Sequence, residues 1–260
     1  ARYMLKKLCF LLLLIPLLIN AQINESDTLN FKGNLSVSGF WQGGNVETLI
    51  FRTKSEMTFK PWKKWVFKTT NSYVFQEFGG DKADSDFLSL NFLYINPERT
   101  FYPQFFGIAS TNFRREIARR TLYGAGMTYQ VIDKKKDKNK NWLKMSLTGE
   151  YEQTRFKRAD FNLPEYNADR DINTFRTTLW ISGNYNLFKK KLILKHEMYF
   201  QPSLEMGNNF RWWADVAMEF PIWKHLNFKI NYLRTYENIV IAGQQQEDEF
   251  LTFGLTLKSY

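Results

Sequence analysis

Cysteine is almost missing from this chain: 260 residues contain one, Cys9. With no second thiol, no disulfide can form within the chain, so its stability must come from backbone pairing and packing. Histidine is nearly as scarce, with two residues, which narrows the scope for general acid–base chemistry and for imidazole-ligated metals. Seven prolines and fourteen glycines are too few for a fibrous or low-complexity chain. Long apolar runs are absent beyond the first twenty residues, and mean hydropathy is −0.43. That excludes a multi-pass helical membrane protein, whose spans need about 20 mostly apolar residues each. It does not exclude a membrane β-barrel, in which only alternate residues need be apolar.

What the chain has in excess is rings and positive charge. There are 24 Phe, 13 Tyr and 8 Trp, an aromatic share of 17%, and the formal charge is +10 from 36 basic and 26 acidic residues. The one apolar run follows Met4 and Lys6-Lys7, extends from Leu8 to Ile19 and ends in Asn20-Ala21-Gln22. A charged start, an apolar middle and a small residue at the end predict a signal peptide over 1–21, cleaved after Ala21, with 1–3 an upstream extension. The run is too short for a membrane anchor. Cys9 precedes the Leu11–Ile15 stretch rather than following it, so no lipid attachment is expected there. Residues 22–29 read as a short periplasmic tether and 30–260 as one domain.

From residue 30 onward the dominant period is two. Leu251, Phe253, Leu255 and Leu257 interleave with Thr252, Gly254, Thr256 and Lys258, and the stretches 175–187 and 210–220 alternate in the same way. Strand side chains point to opposite faces, so each segment carries one apolar and one polar face. Twelve segments are predicted, at 30–42, 46–59, 65–78, 87–96, 101–113, 121–132, 142–156, 174–187, 192–205, 210–221, 226–237 and 249–259. Most reach the roughly 9–11 residues that a tilted strand needs to cross a bilayer, whereas soluble strands average about 5–6. The expected fold is all-β: a transmembrane antiparallel up-and-down barrel of about twelve strands, in the bacterial outer membrane.

The connections fall into two sets. Lysine-rich turns at 60–64, 133–141, 188–191 and 221–225, with Asn96-Pro97-Glu98-Arg99, are assigned to the periplasmic end. Gly79 to Asp86, Lys157 to Asn173 and Asn238 to Asp248 are assigned to longer outer loops. Rings near segment ends (Trp65, Tyr102, Tyr129, Tyr151, Tyr185 and Tyr232) suit the two membrane interfaces, where one side of a ring meets hydrocarbon and the other meets water. The polar face is expected to line the lumen with Arg52, Lys54, Glu56, Lys144, Glu150, Glu152, Lys195, Glu197, Arg211, Asp215, Glu219, Lys229 and Glu237. Pairing across the ladder would make these charges structural; a permeation path tuned by them is the sharper alternative.

At this level of detail the chain resembles the salt-induced outer-membrane protein (YdiY-like) family, a domain of unknown function. The likeness lies in "GFWQGGNVET" (39–48), "RRTLYGAGMTYQVID" (119–133), "FPIWKHLNFKINYLRTYEN" (220–238) and "LTFGLTLKSY" (251–260). These are strand-and-turn patterns, so the resemblance implies an outer-membrane barrel and carries over no active-site residue. One departure is at the end, where Tyr260 falls out of phase with Leu251 to Leu257.

Chemistry-bearing constellations are weak. His196 lies in the apolar phase of its strand, about opposite Gly183 by hairpin arithmetic, with no serine in phase beside it, which argues against a lipid-active hydrolase. Asp81, Asp84 and Asp86 lack the spacing of an EF-hand loop and read as a solvated loop. Gly43-Gly44-Asn45 reads as a tight turn, and Gly124 and Gly126 as interior positions that leave room for long side chains. No enzyme activity, cofactor, metal or nucleic-acid partner is expected. The expected partners are outer-membrane lipid and, at the basic turns, anionic head groups or an acidic periplasmic protein, with the chain a monomer. The expected role is structural or envelope-related with at most narrow permeation; the alternatives are a porin-like channel and a lipid hydrolase.

Overall fold

The computed structural model describes residues 30–43, 47–133, 136–223 and 226–257. The expected signal peptide and tether, part of the Gly43-Gly44-Asn45 turn, Lys134, Lys135, Lys224, His225 and Tyr260 lie outside the described residues.

Among the described residues twelve strands follow one another: β1 (Phe31–Gln42), β2 (Thr48–Trp62), β3 (Trp65–Phe78) and β4 (Asp81–Ile95). Next come β5 (Phe101–Asn112), β6 (Ile117–Ile132), β7 (Trp142–Phe156) and β8 (Asp171–Leu187). The last four are β9 (Leu192–Pro202), β10 (Phe210–Trp223), β11 (Leu226–Glu237) and β12 (Glu247–Leu257). Each pairs antiparallel with its sequence neighbours, in the order β1 to β12, as the period of two and the short turns require. Among the described residues no ladder joins β12 to β1. The sheet nevertheless curls on itself: Phe92 of β4 meets Trp180 of β8 with centroids 6.3 Å apart, and Arg120 of β6 meets Glu237 of β11 at 2.8 Å.

Those contacts identify the inner face, and the register carries it round the sheet. Arg211 pairs with Glu237 and Gln201, Glu150 with Arg176 and Gly124, and Lys54 with Ser72. All thirteen charged residues expected in the lumen fall in this phase. Most of the outer face is apolar and open, with Leu147 61%, Phe175 53% and Phe200 46% exposed. Of the rings assigned to the outer girdle, Tyr102 is a correction. It pairs with Thr128 on the inner face and is fully buried, because of two adjacent rings the ladder turns one each way and Phe101 is the one that faces outward, 57% exposed.

The outer loop expected over Gly79 to Asp86 is also corrected. Gly79 and Gly80 alone make the turn, with φ of 58° and 85°, the left-handed pair that a two-residue hairpin needs. The three aspartates belong to β4. Asp84 pairs with Arg114 at 3.0 Å, and Asp86 accepts the Phe113 backbone N–H at 2.5 Å, so the polar run is strand with partners supplied by the next turn.

The other two predicted outer loops do extend beyond the strands, and they fold over the mouth. Phe161 bridges Ile241, the Asn162 N–H donates to the Val240 carbonyl at 2.9 Å, and the Ala242 N–H donates to the Asp160 carbonyl at 2.7 Å. Phe161 and Ile241 join Ile117, Phe156, Ile172 and Ile239 in a small apolar core at this end. At the opposite end most turns are tight, the nine residues from Asp133 to Asn141 excepted. Phe188, Lys189 and Lys190 all take positive φ, and Trp62 and Trp65 meet edge to face at 5.5 Å across theirs.

Candidate functional site in the barrel interior

Directly beneath the apolar cap, Glu152 of β7 is 1% exposed and holds three arginines from three strands. Its carboxylate lies 3.3 Å from Arg120 Nε of β6, 2.5 Å from Arg176 Nε of β8 and 2.8 Å from Arg211 Nη2 of β10. Thr154 Oγ1 donates a further bond at 2.6 Å. Arg120 also donates both of its terminal nitrogens to Glu237 of β11, each at 2.8 Å, the planar two-point geometry that guanidinium and carboxylate share. Arg176 reaches Asn209 Oδ1 at 2.6 Å, which ties in the β9–β10 connection. Nearer the surface Arg115 spans to Asp248 of β12 at 2.6 Å.

Below this lies a layer of hydrogen bonds centred on Gln201 and Glu150. Gln201 accepts from Arg211 Nε at 2.5 Å and donates to Glu150 at 2.8 Å. Glu150 also accepts from Thr148 at 2.9 Å and from Thr178. The four strands β7 to β10 are thus laced together by side chains on one face, each polar atom closing on the next, which is the condition under which buried polar groups are tolerated. Beside them a row of rings crosses the interior. Phe92 meets Trp180, Trp180 meets Tyr199 at 5.4 Å, and Tyr199 stacks on Trp213 at 5.8 Å. The cavity left between the charged cluster and the cap is about 10 Å³, room for one water at most.

Toward the turn end the remaining charges pair more simply. Lys195 reaches Glu219 at 2.5 Å, and Asn227 donates to the other Glu219 oxygen at 2.9 Å; Lys229 lies opposite Glu219 in register. Lys144 is buried with its ammonium 5.9 Å over Tyr102 and 5.5 Å over Trp142. Asp215 hydrogen-bonds Asn231 and feels the charges of Lys229 and Lys54; Glu197 lies beside it in register. Lys54 pairs with Glu56 at 2.6 Å and, like Arg52, stays exposed. The interior is therefore packed along β4 to β11 and wetter by β2.

Of the thirteen expected residues, Glu150, Glu152, Arg211 and Glu237 come together in the cluster. Arg120, Arg176, Arg115, Gln201 and Asn209 were missed as its members. Arg120 and Arg176 share the phase of Glu152 along their own strands, a signal that period two contains; the pairing of β6 with β11 across the interior is not in any local pattern. His196 sits on the outer face opposite Gly183, as hairpin counting predicts, stacked on Tyr185 at 5.6 Å. Among the described residues no group of three or more His, Cys, Asp or Glu is placed to hold a metal ion.

Among the solved structures that align with the chain are the following two. A NanC porin aligns at 10% identity with a TM-score of 0.48, covering 88% of this chain and 98% of its own. The translocator domain of the autotransporter NalP from Neisseria meningitidis aligns at 10% identity with a TM-score of 0.37, covering 99% and 96%. None of the curated proteins compared with the sequence matches it. The profile of the family described as "Protein of unknown function, DUF481" matches residues 26–258, nearly all of the chain, and the protein belongs to that family.

Proposed function

We propose that the chain is an outer-membrane barrel of the YdiY-like, salt-induced group, with a structural or envelope role and a lumen closed at its loop end. The observation that carries the closure is Glu152, fastened to strands β6, β8 and β10 at once and roofed by the Phe161–Ile241 cap. A solute passing there would have to break several charge-assisted bonds, each worth roughly twice a neutral hydrogen bond. Membrane placement is supported by strands of 11 to 17 residues and by the exposed apolar outer face, which water would not favour. The protein is expected to work without an enzyme active site, through its fold and its contacts with lipid.

The test is conductance of purified protein in planar bilayers. The chain should give no stable unit steps, and deletion of residues 238–246 together with Glu152→Gln should produce them. Large, stable steps from the unaltered chain would end the closed-barrel reading. The exposed Arg52 and Lys54 on the inner face favour narrow permeation as the second reading, which predicts small currents that fall when both are neutralised.

A further inference from the structure

The outer face is not apolar throughout. Near the middle of β3 and β4, Thr69, Asn71, Ser89 and Asn91 point outward, opposite to the phase of Phe92, and pair as Thr69↔Asn91 and Asn71↔Ser89. Their side chains close a ring in which every member donates once and accepts once. Thr69 Oγ1 donates to Asn91 Oδ1 at 2.8 Å, and Asn91 Nδ2 to Ser89 Oγ at 3.0 Å. Ser89 Oγ donates to Asn71 Oδ1 at 2.7 Å, and Asn71 Nδ2 back to Thr69 Oγ1 at 3.1 Å. Ser55 and Ala109 continue one row of the patch, and Met57 and Gly107 the other. Rings bound it toward both strand ends: Phe67 and Phe105 on one side, Tyr73 and Phe87 on the other.

In the proposed membrane setting this places two carboxamides at hydrocarbon depth, where each unsatisfied polar group costs several kcal/mol. The ring lowers that cost without removing it. Asn91's second N–H reaches only the Gly107 carbonyl at 3.4 Å, and Asn71 keeps a second N–H beyond its one bond in the ring. Lipid tails offer nothing to either. We infer that this patch is a subunit interface and that its occupant is the same patch on a second copy of this chain. The chemistry favours self-association over a different partner. The patch bears no charge to attract an ionic surface. Its Asn, Ser and Thr groups are each both donor and acceptor, so a two-fold axis through it sets complementary groups against one another. Its small members, Ser55, Ser89, Gly107 and Ala109, let two walls approach closely, as small residues do between membrane segments. The resulting dimer takes the place of the monomer expected from the sequence.

The inference rests on the membrane reading, and the experiment separates the two. The chain's single cysteine is Cys9, in the expected leader, so Ser55→Cys, Ala109→Cys and, on the far wall, Leu179→Cys each introduce one probe. In native outer membranes treated with a short bis-maleimide, the first two should yield a band of twice the chain mass and Leu179→Cys none. Adding Asn71→Leu and Asn91→Leu should cut that yield at least tenfold while the heat-modifiable folded band persists. Chain in the outer-membrane fraction with only monomer bands overturns the dimer and leaves the barrel reading standing; absence from that fraction overturns both. A crosslink to a different protein, or a yield unchanged by the double substitution, overturns the self-association.

Discussion

Glu152 shows how one position can govern a wall. Its carboxylate is the shared acceptor for Arg120, Arg176 and Arg211, so Glu152→Gln leaves three buried guanidiniums facing a neutral amide. Removing one partner of a buried ion pair typically costs about 3–5 kcal/mol, and urea unfolding in detergent should show a loss of that order. Replacement of the exposed Lys54, paired with Glu56 at 2.6 Å, should change stability by less than about 1 kcal/mol. Gly126 acts through absence. A Cβ there would lie 2.3 Å from the Leu147 carbonyl oxygen and 2.5 Å from Thr148 Cγ2, so β6 and β7 approach too closely for any side chain. Gly126→Val should therefore abolish folded, heat-modifiable protein, whereas the same change at Gly149, with open space around it, should be tolerated. The sequence places Gly126 on the inner face; that its neighbour's backbone occupies the Cβ position needs the register.

At the level of elements, strand position was legible because period two is a local property: β3 and β7 run over the residues that alternation predicts. Strand ends were less legible, and β4 shows why. Asp81 to Asp86 carry the composition of a loop, yet Arg114 and the Phe113 N–H wait at the same height on the neighbouring turn. Partners supplied from the next hairpin outweigh intrinsic propensity, and a window on the sequence cannot see them. Tyr102 was misplaced for a related reason, since two adjacent rings give no phase of their own. The turn after β8 makes a separate point. Phe188, Lys189 and Lys190 hold a left-handed backbone and present a lysine cluster at the turn end, where head-group phosphates would lie. Replacing Lys189, Lys190 and Lys191 with Gln should lower the cardiolipin retained in native mass spectra several-fold without changing retained phosphatidylethanolamine; equal loss of both would refute the electrostatic account.

For the whole molecule, every ladder joins sequence neighbours, while the ties that close the interior are remote. Arg120 and Glu237 are 117 residues apart, and Arg115 and Asp248 are 133. Loop-closure entropy must be met before remote contacts contribute. Hairpins can therefore pair in chain order, but the Glu152–Glu237 cluster can assemble only once β11 has come round to face β6. The cluster is thus a late event in assembly, a latch on a finished wall rather than a seed for it. Interactions absent from the transition state act on the escape rate alone, so the penalty of Glu152→Gln should be read in faster unfolding, with the rate of barrel formation unchanged. The charges that close the lumen would then serve persistence: they set how long the barrel lasts once built.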